Sequence, residues 1–196
     1  MGLLGRISRR VISKAKKKGP AQGVRATEVR TSTVAATLTP TNPTEPLSSP
    51  QCEVASLKEI RTQVYGVGEP RLIVHWATWC DGCLEEITDL LRLHSNYGER
   101  VSFKGICWDS FQGESSEGSL LAHVDSFIKS NGILWSSAVV MSEPQSLFES
   151  LNMECHTIPQ LWVVNQLGEV TYQENGPLTK EAFNELSDAI DLVLVS

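Results

Sequence analysis

The chain has 196 residues, of which 41% are hydrophobic and 20% are charged, so it fits one compact domain with appended sequence better than two full domains. The net charge of -6 is unevenly distributed, because residues 1–30 hold nine Lys or Arg and only Glu28, so a basic segment precedes an acidic body. No run of about 18 apolar residues occurs, which argues against a membrane-spanning helix and predicts a soluble protein.

The first 18 residues alternate apolar and basic side chains near helical spacing, which predicts a short basic amphipathic helix. Charges interrupt every apolar stretch, so the pattern disfavours a secretory signal. Three interpretations remain open: a solvated disordered extension, a helix that contacts an anionic surface, and an organellar transit peptide.

Residues 31–50 are rich in Thr, Ser and Pro and have few large apolar side chains. Such a segment cannot bury enough surface to offset the entropy lost on ordering, so it is predicted to be a linker. The predicted organisation is therefore a tail and linker over residues 1–50 and one folded domain over residues 51–196.

Hydrophobic periodicity predicts that helices and strands alternate through this domain. The predicted helices cover residues 54–64, 81–94, 120–129, 145–151 and 178–194. The predicted strands cover residues 72–76, 101–107, 137–140, 161–164 and 169–173. The last two strands flank a short turn that ends in Gly168, which suits a hairpin. This order predicts an α/β fold with a mixed central sheet and helices on both faces.

Cys80 and Cys83 form a Cys-x-x-Cys pair between a buried-type strand and a helical pattern. Free backbone N–H groups and the dipole at a helix N-terminus favour the thiolate over the thiol. Cys83 lies one turn further on and can attack a mixed disulfide that Cys80 makes with a partner. The setting predicts redox chemistry.

Two other interpretations of this pair are a structural pair of buried thiols and half of a zinc site. Zinc needs four ligands, and the nearest further candidates, Cys155 and His156, are adjacent in sequence and lack the usual spacing. The strand-turn-helix setting favours the redox interpretation, so no metal and no other cofactor are expected.

The segment WATWCDGCLEE resembles the active-site region of the TlpA-like and ResA-like thioredoxins, within the thioredoxin superfamily. Thr157, Ile158 and Pro159 resemble the loop that carries the cis-proline of that superfamily. The resemblance covers residues 52–195 and implies a thioredoxin-like fold. Two positions depart from the pattern: Gly82 replaces a frequent proline, and Asp81 places a negative charge beside the thiolate.

The resemblance implies that Cys80 is the attacking thiol, Cys83 the resolving thiol and Pro159 the cis-proline beside them. Trp79 and Ile158 are expected to border the substrate, whereas Trp76 is expected in the core. Val74 stands where thioredoxin itself has a buried aspartate.

Glu86 matches a family glutamate that assists proton transfer. A carboxylate one turn beyond Cys83 can accept its proton if burial raises the pKa of the glutamate. The alternative is a solvated helix glutamate.

The predictions for the other three cysteines and for His156 are less specific. Cys107 is expected to be a buried core residue, because free cysteines are commonly buried. Cys52 is expected to be an exposed thiol at the linker junction. Cys155 and His156 are expected near the dithiol, as spectators or as a third thiol and a proton donor.

The sequence therefore predicts a thiol-disulfide oxidoreductase that acts as a reductase on protein disulfides. An upstream electron donor is expected to reduce its Cys-x-x-Cys disulfide again. The alternatives are a non-catalytic redox-sensing or docking module and a thiol peroxidase. We expect a cytoplasmic monomer whose basic tail makes weak contact with anionic surfaces. A transit sequence or a misassigned start would instead make it organellar or exported.

Overall fold

The structure is a computed structural model that describes residues 52–113 and 116–196. The predicted tail helix, the linker and the domain boundary at residue 50 lie outside these residues. Within the part of the chain that is described, no helix is both long enough and apolar enough to cross a bilayer.

The described residues form six strands and five α-helices. The strands are β1 (Cys52–Ala55), β2 (Arg71–Trp76), β3 (Ser102–Cys107), β4 (Ser136–Val140), β5 (Gln160–Val164) and β6 (Val170–Asn175). The helices are α1 (Leu57–Tyr65), α2 (Asp81–Tyr97), α3 (Glu117–Ser130), α4 (Pro144–Leu151) and α5 (Lys180–Val195). A short 3₁₀ turn at Asp109–Gln112 follows β3.

All six strands belong to one sheet with the order β1-β4-β3-β2-β5-β6. The pairs β1–β4, β4–β3 and β3–β2 are parallel, whereas β2–β5 and β5–β6 are antiparallel. Every residue of β2 is buried, as expected for a central strand of a sheet covered on both faces. The predicted mixed sheet is confirmed.

Helices cover both faces of the sheet, as two adjacent residues of β2 show. Trp76 packs against Phe127 of α3, with the ring centroids 5.5 Å apart. His75 points to the opposite face, since successive strand side chains alternate, and there it contacts Trp108. Trp108 in turn packs against Phe148 of α4.

The prediction for residues 54–64 is wrong at its start, because residues 52–55 form β1 instead of entering the helix. Ser56 ends this strand and caps α1: its side chain accepts a hydrogen bond from the backbone of Glu59, whose carboxylate accepts one from the backbone of Ser56. A four-residue strand that pairs with a distant segment leaves no local periodic signal. The 3₁₀ turn after β3 was also missed.

Candidate active site

Cys80 and Cys83 lie beyond the carboxyl end of β2, at the start of α2. They form a disulfide, with their Cα atoms 5.2 Å apart. Cys80 is 7% exposed and Cys83 is 3% exposed, so both residues are buried and Cys80 is the slightly more exposed of the two. This order agrees with an attacking role for Cys80.

Cys80 is also the N-cap residue of α2. The backbone N–H of Cys83 donates to the Cys80 Sγ at 3.2 Å, and the N–H groups of Cys83 and Leu84 donate to the Cys80 carbonyl oxygen. The N–H group of Cys83 and the helix dipole place positive potential at this sulfur. The same groups would stabilise a Cys80 thiolate when the disulfide is open.

The loop between β2 and α2 is tied to the end of β3 by one carboxylate. Asp109, which is 8% exposed, accepts a hydrogen bond from the backbone N–H of Thr78 at 2.9 Å and a second one from its hydroxyl. The thiol of Cys107 donates to the same carboxylate at 2.9 Å. Asp109 therefore fixes the segment that leads into Cys80, and His123 of α3 joins the network through Thr78 Oγ1.

The second loop at the site carries Pro159, and the Ile158–Pro159 peptide bond is cis. Gly82 faces this proline: a Cβ added at Gly82 would lie 3.3 Å from Pro159 Cδ and 3.4 Å from Pro177 Cγ. Because residue 82 is glycine and not proline, the dithiol turn can lie close to the cis-proline loop.

Glu86 lies one turn beyond Cys83 and is 3% exposed, so it is not a solvated helix glutamate. Burial raises its pKa to about 8; the backbone N–H of Leu178 opposes this shift, and the charges of Glu174 and Asp89 add to it. Among the described residues, neither carboxyl oxygen has a hydrogen-bond partner of standard geometry. Residues three apart on a helix are neighbours, which places this carboxyl group beside Cys83.

The three other cysteines of the sequence are free. Cys107 is fully buried, as predicted, and burial together with the Asp109 carboxylate raises its pKa well above the usual range. The prediction for Cys52 is wrong: it belongs to β1 and is partly buried, and burial raises its pKa to about 11. Cys155 is partly buried, with its Sγ 3.2 Å from Thr157 Oγ1.

Another buried ionisable group, His75, was not identified in the sequence analysis. It is fully buried, and burial lowers its pKa to about 3, so the ring is neutral. Its ring contacts Trp108 and Trp162, with centroids 5.7 and 4.6 Å away. His75 therefore serves the site as packing behind Trp108.

The remaining predicted site residues differ in their exposure to solvent. Trp79 is 38% exposed beside Cys80, and together with Ile158 it borders a pocket, whereas Trp76 is buried. Among the described residues, no group of three or more His, Cys, Asp or Glu side chains is arranged to hold a metal ion. The contact between Asp109 and Thr78 was not predicted, since the sequence indicates only that Asp109 lies at the end of a strand.

Comparisons with known proteins identify the architecture. A candidate thiol:disulfide interchange protein DsbE from Chlorobium tepidum aligns with a TM-score of 0.52 and 14% identity, over 70% of this chain and 84% of that one. A thioredoxin-like protein solved in its oxidised form aligns with a TM-score of 0.50 and 17% identity, over 69% and 83% of the two chains. No protein-family model and no curated protein matches the sequence. Identities this low establish the fold alone.

Proposed function

Since the described domain has the thioredoxin-like fold, we propose that it is a thiol-disulfide oxidoreductase that transfers two electrons from Cys80 and Cys83 to disulfides in partner proteins. The observation that carries the proposal is the disulfide-forming pair at the N-terminus of α2, with the more exposed of the two cysteines as the helix cap. Fold alone does not imply function, so the proposal depends on this site.

The proposed reaction starts from the reduced pair. The Cys80 thiolate attacks one sulfur of a partner disulfide, forms a mixed disulfide and releases one partner thiolate. The Cys83 thiolate then attacks the Cys80 sulfur, which closes the Cys80–Cys83 disulfide and releases the second partner thiolate. The partner gains two electrons and the domain loses them, so an upstream dithiol reductant must reopen the pair for the next turnover.

Glu86 is proposed to hold the proton that Cys83 gives up and takes back. With a pKa of about 8 in the disulfide form, the carboxyl group is mostly protonated near pH 7. It can then protonate Cys83 when the upstream reductant opens the disulfide. The resulting carboxylate can take that proton back when Cys83 attacks the mixed disulfide.

Turnover of insulin disulfides in the presence of a thiol reductant tests the proposal. We expect Cys80→Ser to abolish turnover and Cys83→Ser to accumulate a mixed disulfide with the partner, which mass spectrometry detects. Cys155→Ser is the matched control and should retain turnover. A wild-type chain whose Cys80–Cys83 pair is oxidised once, without turnover of insulin, would instead support a redox-sensing module. Reduction of peroxide but not of insulin disulfides would support a peroxidase.

The role of Glu86 has a separate test in single-turnover kinetics of the reduced domain. Glu86→Gln should slow resolution of the mixed disulfide about 100-fold, the lower end of the usual contribution of a general base. Its exposed helix neighbour offers the control Glu85→Gln, for which we expect the wild-type rate. Equal rates in Glu86→Gln and the wild type would remove Glu86 from the mechanism.

A further inference from the structure

Strand β6 carries a carboxyl group at a position where the strand pattern predicts an apolar side chain. Along this strand Val170, Tyr172 and Glu174 are partly buried, and the residues between them are exposed. Successive strand side chains point to opposite faces, so Glu174 lies on the same inward face as Tyr172. The Tyr172 side chain packs against the hydrophobic core. Glu174 is therefore an acidic residue on the inner face of the sheet.

The face of α2 that carries Glu86 lies against the segment that follows β6. Gly82 and Glu86 are four residues apart, so they share one side of the helix. A Cβ added at Gly82 would lie 3.4 Å from Pro177 Cγ. The backbone N–H of Leu178 is close enough to Glu86 to act on its pKa. Glu86 thus faces residues that come three and four positions after Glu174.

The charges that act on Glu86 come from two carboxylates. Burial is the largest cause of the raised pKa of Glu86, and the charges of Glu174 and then of Asp89 add to it. The charge of Asp89 is offset by its ion pair with Arg92, at 2.9 Å. No Lys or Arg among the described residues forms an ion pair with Glu174. Glu174 is therefore the carboxylate that acts on Glu86 without an opposing cation.

The Glu174 side chain is held in place by a neutral group. The hydroxyl of Tyr172 donates to Glu174 Oε2 at 2.9 Å. Burial, this hydrogen bond and the charges of Glu174 and Glu185 all raise the pKa of Tyr172 far above its usual range, so the phenol stays protonated and continues to donate. Tyr172 thus orients the carboxylate without cancelling its charge.

We propose that Glu174 is a positioning residue that acts through Glu86: its carboxylate, oriented by Tyr172, keeps a proton on the Glu86 carboxyl group next to Cys83. The inference rests on the proposed function and deepens it. Two carboxylates that act on one another resist ionising together, so a charged Glu174 favours the protonated form of Glu86.

The proton then follows the reaction of the dithiol. When the upstream reductant supplies two electrons and breaks the Cys80–Cys83 bond, Glu86 gives its proton to the Cys83 thiolate and becomes charged. When the Cys83 sulfur attacks the mixed disulfide, the proton returns to Glu86. Repulsion from Glu174 favours this return, because it makes the Glu86 carboxylate a stronger base.

NMR titration of the oxidised full chain, labelled with carbon-13 at the glutamate carboxyl groups, measures this effect directly. The signal of Glu86 is identified by its absence in Glu86→Gln. In the wild type its midpoint should lie near the pKa of about 8. Glu174→Gln should move this midpoint to lower pH by about one unit, because a nearby like charge has been removed.

Two further variants separate charge from shape. Glu174→Asp keeps the charge, so its Glu86 midpoint should lie between those of the wild type and Glu174→Gln. Glu169→Gln removes an exposed carboxylate about 16 Å away along the strand and should leave the midpoint unchanged. A midpoint in Glu174→Asp as low as that in Glu174→Gln would contradict a role for the charge.

A second interpretation of an inward charge on an edge strand is protection against edge-to-edge aggregation, and kinetics distinguishes it. Reaction of the reduced chain with DTNB releases a second thionitrobenzoate when Cys83 resolves the mixed disulfide. A weaker base that is deprotonated at lower pH should make this step about threefold faster at pH 6 in Glu174→Gln, and the advantage should be lost by pH 8. In a Glu86→Gln background the Glu174→Gln change should have no effect on the rate. A purely protective role predicts no such dependence on pH or on Glu86.

The outcomes separate the inference from the proposed function. An unchanged Glu86 midpoint in Glu174→Gln overturns the inference and leaves the oxidoreductase proposal intact. An effect of Glu174→Gln on the rate that persists without the Glu86 carboxyl group also overturns it, since Glu174 would then not act through Glu86. A wild-type chain that never releases the second thionitrobenzoate contradicts the oxidoreductase proposal and the inference that rests on it.

Discussion

Two regions next to the disulfide each contain a buried carboxyl group, and the two groups differ in their hydrogen bonding. Where the β2–α2 loop meets the end of β3, the Asp109 carboxylate accepts hydrogen bonds from the Thr78 backbone, the Thr78 hydroxyl and the Cys107 thiol. In the second turn of α2, Glu86 is at least as buried, and neither of its oxygens has a partner of standard geometry among the described residues.

The difference shows how one site divides two tasks between similar groups. A buried carboxylate with three donors holds geometry, because removing it leaves several donors unpaired. A buried carboxyl group without such donors gains little by being charged, so its pKa rises, here to about 8 for Glu86. Asp109 is thus suited to fixing the loop before Cys80, and Glu86 to moving a proton near Cys83.

The largest expected effect comes from removing the paired group. Asp109→Ala should lower the free energy of unfolding by about 3 kcal/mol, because buried donors lose their shared acceptor and each costs about 1–3 kcal/mol when unpaired. Urea denaturation at neutral pH measures it. The control is Asp125→Ala, whose exposed ion pair with Lys129 should contribute less than about 1 kcal/mol. Equal losses in the two variants would show that Asp109 is not a structural anchor.

The unpaired group should give an effect of the opposite sign. The folded-state pKa of Glu86 is raised from 4.5 to about 8, so the folded chain keeps a proton that the unfolded chain releases. The associated stability is fully present below about pH 4.5 and is lost as the pH rises to about 8. At pH 7, Glu86→Gln should therefore raise the free energy of unfolding, on the order of 3 kcal/mol.

The pH dependence provides the decisive measurement for Glu86. Urea denaturation at a series of pH values should show the advantage of Glu86→Gln growing from pH 5 to pH 8 and then levelling. Glu85→Gln, one residue away and exposed, should follow the wild-type curve. A constant difference between Glu86→Gln and wild type over this range would mean that the carboxyl group does not titrate as described.

The sequence predicted one of these regions much better than the other. Cys83 and Glu86 lie on one helix three residues apart, so helical periodicity alone predicts that they are neighbours. Thr78 and Asp109 are 31 residues apart, and their contact depends on the parallel register of β2 and β3, which pairs Trp76 with Cys107. Local patterns do not fix such a register, so the contact between Asp109 and Thr78 was not predicted.

The same distinction explains the other successes and omissions. The strands of the central sheet and α2 were predicted because each is buried enough to give a clear apolar pattern. The strand at residues 52–55 depends on its pairing with β4, and the Phe148–His156 stack depends on how α4 lies over the cis-proline loop. Such features arise only from tertiary packing.

The smallest expected effect divides the Asp109 anchor into its parts. Thr78→Val keeps the side-chain shape and the backbone N–H that donates to Asp109 at 2.9 Å, and it removes only the hydroxyl. The free energy of unfolding should fall by about 1 kcal/mol, the usual net contribution of one hydrogen bond. Thr88→Val, at an exposed position of α2, should be nearly neutral.

A double-mutant cycle with Asp109→Ala settles whether this loss belongs to the anchor. If the hydroxyl stabilises the fold through Asp109, then Thr78→Val should cost almost nothing once Asp109 is alanine, which corresponds to a coupling energy of about 1 kcal/mol. If the hydroxyl acts instead through His123 Nε2, 2.9 Å away, the loss should persist in the Asp109→Ala background and disappear in His123→Ala. Additive losses in both backgrounds would contradict the network, since neither partner would account for the hydroxyl.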